Sequence, residues 1–377
     1  MHVLSNLSSP SSSPSMLNQL AILPVLVVLG GQPVSQALAQ VAGSRITPVA
    51  FSFGWVTYTV VSALKVIRQN KVMPSPDCSC KVINGDTGYV RENTSWIIGR
   101  IVRDFETWMN DSKWDGDIRK RVDEILDEEW RETRDEERPA KAGLCVSVFK
   151  AEHALPGHPG RDWVYFSGFA AMMVQAGLAA IPCFLHGHSS ILLITLAGIA
   201  LSFATGSLAQ WTFDKWACGR QSEKTVILTE GDGSQHAMII IGDRKGLDLE
   251  ELAAVSSTPT SPAPSWLVSI VAAALWILLL ESAVKIQEYT GYLFAIAIIG
   301  MLHNIYVATA SRSPEDFGVL LKFVEVIGHH KVMEALFEVE RRYPGVGRSM
   351  LPVFFSGQIR QDERDQWHKF DDELMMN

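Results

Sequence analysis

The sequence predicts a mainly α-helical, polytopic membrane protein with five or six transmembrane helices and a small cytosolic α+β domain built from two loops. Three observations predict it. Residues 2–44, 46–64, 163–213, 252–280 and 289–311 contain no Asp, Glu, Lys or Arg. Residues 65–162, by contrast, hold 17 Lys+Arg and 19 Asp+Glu. The charged fraction of 20% lies below the roughly 25% usual for soluble domains, and mean hydropathy is +0.12. Such a chain alternates between two solvents.

Taken in order, residues 1–19 form a disordered N-terminus, because Ser and Pro dominate and no apolar face exists. Residues 20–64 hold the first two membrane segments. Leu20–Val41 has its strongest apolar run at Leu20–Gly31 and is interrupted by Pro24, Gly30, Gly31 and Pro33. Its alternative is a cleaved signal peptide ending near Ala37-Leu38-Ala39, which lacks a positive n-region. Thr47–Leu64 is the next span, long enough to approach the ~20 residues a bilayer core requires.

Residues 65–162 read as a cytosolic loop. Lys81–Ile83 and Tyr89–Arg91 flank Asn84-Gly85, a pair that tolerates positive φ and so marks a hairpin. Ile97, Ile98, Ile101, Val102, Phe105, Trp108 and Met109 recur near the helical period, predicting a helix over Ser95–Met109. That helix suits either the membrane surface, through Arg100 and Arg103 with its aromatics, or the core of the small domain. A second helix covers Asp117–Glu137, and Leu144–Phe149 reads as a strand.

Residues 163–208 form a transmembrane hairpin, Trp163–Leu185 and Ser190–Leu208, turning at His186-Gly187-His188-Ser189. Residues 209–265 return to the cytosol, with strands Thr225–Thr229 and Ala237–Ile241 around the turn Glu230–His236. A capped helix Leu249–Ala253 and a Ser/Thr/Pro linker follow. An isolated hairpin is marginal in water, so the two loops are expected to share one sheet. Residues 266–310 supply two more spans, Trp266–Leu280, extendable to Ile286, and Gly291–Ala310. The tail, 311–377, is expected to be helical: Ser313-Pro314-Glu315-Asp316 is helix-start chemistry, predicting one helix to Val326 and another over Gly328–Arg342.

Lys65, Arg68, Lys71, Lys215, Arg220, Lys224, Arg312 and Lys322 follow span ends on one side, which orients both long loops toward the cytosol. With six spans both termini are cytosolic, and the sequons at Asn6, Asn93 and Asn110 stay unmodified. With five, the N-terminus lies outside.

No catalytic constellation is found: there is no nucleophile elbow, zinc helix or kinase signature. Gly231–His236 lacks the spacing of a phosphate loop and reads as a turn. No cofactor is expected. Five cysteines make no framework, and Cys78-Ser79-Cys80 has no second pair to complete a metal site. His186 and His188 lie across the membrane from His329 and His330. A net charge of −8 without a basic stripe gives nucleic-acid binding no support. The polar groups at membrane depth are Gln175, His303 and Asn304, which either line a pathway or hydrogen-bond across helices. Gly198, Ser202 and Gly206 recur every four residues and suit close helix packing.

Asn84–Glu92 (NGDTGYVRE), Gly160–Gly168 (GRDWVYFSG), Gln210–Ala217 (QWTFDKWA), Thr225–Gly242 (TVILTEGDGSQHAMIIIG), Tyr343–Gly345 and Leu351–Gly357 (LPVFFSG) together resemble an uncharacterised family of multi-pass membrane proteins of filamentous fungi. The resemblance runs from about residue 20 to the end. It implies a fungal origin and, for some relatives, a place near secondary-metabolite gene clusters, and it carries no functional residues. Two readings follow: a non-catalytic accessory or scaffold in a metabolite pathway, with the lipid bilayer and other proteins as partners, or a small-molecule exporter or membrane-embedded enzyme.

Overall fold

A computed structural model describes residues 14–43, 46–69, 72–109, 117–133, 143–153, 160–254, 265–355, 357 and 359–376. In chain order it contains α1 (Pro14–Val41), α2 (Gly54–Gln69), β1 (Lys81–Asn84), β2 (Val90–Glu92), α3 (Trp96–Arg103), α4 (Phe105–Trp108), α5 (Asp117–Thr133) and β3 (Leu144–Ala151). There follow α6 (Trp163–His186), α7 (Ser190–Gly206), α8 (Ala209–Lys215), β4 (Thr225–Thr229), β5 (His236–Ile241) and α9 (Leu249–Ala253). The chain ends with α10 (Ser265–Val284), α11 (Thr290–Thr309), β6 (Leu321–His329), α12 (Val332–Arg342), α13 (Val346–Phe354) and α14 (Gln361–Met376).

The protein is a mainly helical, membrane-associated chain. Three helices, Trp163–His186, Trp266–Val284 and Thr290–Thr309, are long and apolar enough to cross a membrane. A fourth qualifies if α7 and α8, bent by 43°, count together. Large apolar side chains point outward along them: Met173, Phe184, Leu193, Leu278 and Leu302 are more than half exposed. Exposed apolar side chains in such number mark an interaction or membrane surface rather than one facing water. Sequence chemistry also sets helix ends: Asp162 accepts from the Tyr165 N–H to start α6, and Gly187, at φ 73°, ends it.

The segment expected as the span Thr47–Leu64 differs. Residues 46–53 are non-helical, and helix begins only at Gly54. Pro48 lacks an N–H and disfavours helix at Thr47 before it. The segment enters the bundle beside the end of α7, where Thr47 Oγ1 donates to Gly206 O at 2.9 Å. It reaches mid-bundle at Phe51, against Gly198 and Gly300, and α2 then runs back, Gly54 crossing Gly30 backbone to backbone. By Val72, whose N–H donates to Asp214 Oδ2 at 2.6 Å, the chain is again beside α8. It enters and leaves at the same end of the bundle. α1, in contrast, is one 28-residue helix that accommodates Pro24 and Pro33.

The polar segments build one six-stranded sheet at that end, in the order β2-β1-β4-β5-β3-β6. Both hairpins expected from the two loops lie in it, joined by β1 with β4, antiparallel. β3 and β5 are its parallel pair. The tail departs from expectation. Ser313–Asp316 does form a reciprocal capping box, but only one 3-10 turn, Pro314–Phe317, follows before Gly318 stops it at φ 77°. Residues 321–329 are then rich in β-branched and aromatic side chains and pair along the whole of β3, so the expected helix to Val326 is an edge strand. The helix expected from Gly328 begins at Val332 for the same reason.

One sheet face, with Ile83, Val146, Val148, Ile227 and Ile239, packs against Leu336, Phe337, Met350 and Trp367 of the tail helices. The other face joins a second core that runs without interruption through α3 into the membrane helices, from Met238 and Phe149 through Ile97 and Ile101 to Phe51 and Trp276. The α3 helix, on which two placements were open, is therefore interior: Ile97, Ile98 and Ile101 are fully buried, and it breaks at Asp104 before α4.

Candidate functional site

The polar residues that the sequence puts inside apolar spans converge on the inserted segment. Gln175 of α6 donates through Nε2 to Phe51 O at 2.7 Å and to Ile296 O at 3.0 Å. Asn304 of α11 donates through Nδ2 to Ala50 O at 3.1 Å and Ser52 Oγ at 3.3 Å. Trp55 Nε1 adds a bond to Ala50 O at 3.0 Å. Backbone that is not helical needs such donors, because no water reaches a buried segment to supply them. The amide oxygens of Gln175 and Asn304, both fully buried, have no hydrogen-bond partner among the described residues.

Small residues make room for this segment. A Cβ on Gly168 would strike Pro48 O, one on Gly198 the Phe51 ring, and one on Gly300 Phe51 O. A Cβ on Gly206 would lie 3.0 Å from Thr47 Cβ. The stripe Gly198, Ser202, Gly206 thus faces an extended segment of the same chain, and Ser202 Oγ turns to Ile199 O of its own helix at 2.8 Å. Phe51 and Trp55 close the cage against Trp276, whose ring stacks on Trp55 at 5.2 Å between centroids.

His303 does not join this group. Its Nε2 lies 3.0 Å from Ser167 Oγ on α6, while the same hydroxyl sits 2.8 Å from Val164 O. Among the described residues no hydrogen bond is formed at its Nδ1 by geometry, although the Asn304 side chain is its neighbour in the chain. A serine nucleophile needs a base that is itself oriented by a third group. Among the described residues no carboxylate orients His303.

At the mouth of the cage lie three buried cations that sequence reasoning counted only as orienting charges or as part of an amphipathic face. Lys215 Nζ donates to Gln40 O at 3.2 Å and Ala42 O at 2.9 Å, and Arg312 Nη1 donates to Gln40 O at 2.8 Å. Arg100 donates to Ala308 O, and Arg103 to Thr309 O at 3.4 Å. Cations here meet the partial negative charge at the C-termini of α1 and α11 and satisfy their last carbonyls. Arg312 also holds Asp162, with Nε and Nη2 at 2.9 and 2.8 Å from its two oxygens, and Arg100 lies 3.5 Å from Asp77. Lys215 has no carboxylate partner among the described residues; Trp216, Phe317 and Trp96 rings lie 4.9, 5.6 and 5.9 Å from its Nζ. Burial, then the charges of Arg312 and Arg100, push its ammonium pKa well below the usual lysine range. Burial raises the Asp316 carboxyl, against the opposing pull of Arg312.

On the sheet, Glu250 of α9 ties the first hairpin to the second. It accepts from Asn84 Nδ2 at 2.8 Å, Arg91 Nη2 at 3.1 Å and Lys224 Nζ at 3.1 Å. Burial alone would raise this carboxyl, but the bonds from Asn84, Lys224 and Arg91 outweigh it and hold the pKa below its ordinary 4.5. A depressed carboxylate stabilises the fold above its unfolded pKa and loses that contribution as pH falls through the folded one. The stability difference between the native chain and Glu250→Gln is therefore expected to be full at pH 7 and to shrink steadily below pH 4.5, measured by thermal unfolding in detergent.

The remaining motifs stay apart. The stretch from Gly231 forms the turn between β4 and β5, with His236 the first residue of β5. Cys78 and Cys80 are free thiols, which burial raises to about 11 and about 12, so neither is a thiolate at neutral pH. His186 stacks on Tyr289 at 4.6 Å and His188 Nε2 meets Glu288 at 3.0 Å, at the end of the bundle away from the sheet. His329 and His330 lie at the sheet end. No group of three or more metal-ligating side chains occurs among the described residues. Compared with protein-family models, with curated proteins and with solved structures, the chain matches none.

Proposed function

We propose that the chain is a multi-pass membrane protein with five crossings, α1, α6, α7, α10 and α11, and one re-entrant hairpin, residues 46–69, and that it acts as a non-catalytic accessory or scaffold holding a cytosolic α+β domain at the bilayer. The observation that carries the reading is the direction in which the buried polar groups point: Gln175 and Asn304 present their N–H groups to the backbone of Ala50 and Phe51, not to a cavity. Such a packed re-entrant element closes the bundle. The unbroken core from Phe51 through Ile97 to Met238 then joins domain and membrane helices. Lys65, Arg68, Arg220 and Lys224 at the sheet end support a cytosolic sheet by the positive-inside bias. The resemblance to fungal membrane proteins supports a role beside a secondary-metabolite pathway.

The Ser167–His303 pair favours the second reading, a membrane-embedded enzyme, and it supplies the test. Ser167→Ala and His303→Ala are each expected to leave protein abundance and the metabolite profile of the host unchanged, while deletion of the gene changes that profile. Loss of a product in either variant at normal abundance would favour the enzyme.

A further inference from the structure

A cavity of about 610 Å³ lies between α1, α2 and residues 72–77, away from the cage around Phe51. Its volume is in the range of small-molecule sites, about 300–1,000 Å³. On α1 it is lined by Gln32, Ser35 and Gln36, spaced so that all three share one helix face. Among the described residues none of these three side chains makes a hydrogen bond within the protein, and Gln32 is exposed. Polar groups facing outward on a helix in lipid need partners. Farther from the sheet end the walls are Val28 on α1 and Val61 on α2, 66% and 43% exposed, beside Thr57 and Tyr58. Along α1 the groove thus runs from apolar toward mid-bundle to polar toward the sheet end.

Its charge is specified as well. Two charged residues line it, Lys65 and Asp77. Asp77 is engaged by Arg103 at 3.1 Å and Arg100 at 3.5 Å. Lys65 has no ion-pair partner among the described residues and is exposed at the sheet end of α2. The uncompensated charge at the polar end is therefore positive.

We infer that this groove is a binding site for an anionic phospholipid, its acyl chain along Val28 and Val61, its linkage region at Gln32, Ser35 and Gln36, and its phosphate at Lys65. The inference rests on the multi-pass reading, since the lipid enters sideways from the bilayer.

The test uses the full chain in detergent, equilibrated with equal amounts of dioleoyl-phosphatidylglycerol and dioleoyl-phosphatidylcholine and examined by native mass spectrometry. One phosphatidylglycerol is expected to be retained with at least a fivefold preference. K65Q is expected to abolish that preference, whereas R68Q, a neighbouring exposed cation outside the groove, keeps it. S35F, which fills the groove, is expected to reduce retention of both lipids at least fivefold with unchanged thermal stability. Millimolar glycerol 3-phosphate is expected not to displace the lipid. Equal losses in K65Q and R68Q would show non-specific surface charge and overturn the site, as would equal retention of the two lipids. Displacement by glycerol 3-phosphate would overturn the assignment to a lipid. A chain that sediments with membranes yet shows no preference fails this inference alone; one that does not sediment with membranes fails the multi-pass reading beneath it.

Discussion

Gly300→Ala is expected to cost about 3 kcal/mol and to leave little monodisperse protein after detergent extraction, the upper end of what overpacking does to a core. The added methyl would meet Phe51 O, Gln175 Nε2 at 2.6 Å and the Phe51 carbonyl carbon at 2.8 Å, and backbone inside a packed bundle has no rotamer to escape into. The same carbonyl accepts from Gln175 at 2.7 Å, so displacing the segment also breaks a buried hydrogen bond. The contrast is Gly177→Ala on α6, where a new Cβ meets nothing within 4 Å. There the exchange is expected to be neutral or to stabilise by up to ~1 kcal/mol, the ordinary helix preference for Ala over Gly. Thermal unfolding of both variants in detergent checks the pair. Similar behaviour of the two would mean that residues 46–53 do not occupy the bundle centre.

Arg312→Met carries the second large effect, a loss of about 3–5 kcal/mol, as expected when one partner of a buried ion pair is removed. The arginine side chain is fully buried and serves Asp162, Gly160 O and Gln40 O together. Its loss leaves the part-buried Asp162 carboxylate without its cation, holding only the Tyr165 N–H among the described residues, and leaves Gln40 O to Lys215. Adding Asp162→Asn removes the orphaned charge, so the double variant is expected to be more stable than Arg312→Met, although Asp162 also caps α6 through the Tyr165 N–H. A double-mutant cycle read by thermal unfolding measures the coupling, and additive losses would show that the two residues act independently.

Much of this architecture was legible because lipid-facing helices and hairpin turns announce themselves over a few residues. The span expected at Trp163–Leu185 is the helix Trp163–His186, and Gly291–Ala310 is Thr290–Thr309. The Asn84-Gly85 turn and the one strand pair of each loop fall where alternation and turn residues put them. Two elements were hidden for physical reasons. An uncharged segment has the same hydropathy whether it crosses the bilayer as a helix or enters and returns, so residues 46–64 gave the signal of a span; Thr47-Pro48 and Gly54 were the local signs of the break. In the tail, Ser313–Asp316 is sound start chemistry whose outcome depends on the open edge of β3, a tertiary partner that no local pattern encodes. The same holds for the candidate site. Gln175, Asn304, Gly198 and Gly206 stood out in the sequence as polar or small residues of apolar segments, but their shared partner, residues 47–52, lies more than 120 residues from Gln175 in the chain. Lys215 and Arg312 looked like ordinary flanking charges, because burial is a property of the folded protein.

The account turns on residues 46–69 entering and leaving at one end of the bundle, which makes the number of crossings odd. Glycosylation acceptor tags placed ahead of residue 1 and after residue 377 of the full chain, expressed in a eukaryotic secretory membrane, read this directly. A glycan on the leading tag and none on the trailing tag is the predicted result; two unmodified tags on a membrane-integrated protein would contradict it and restore six crossings.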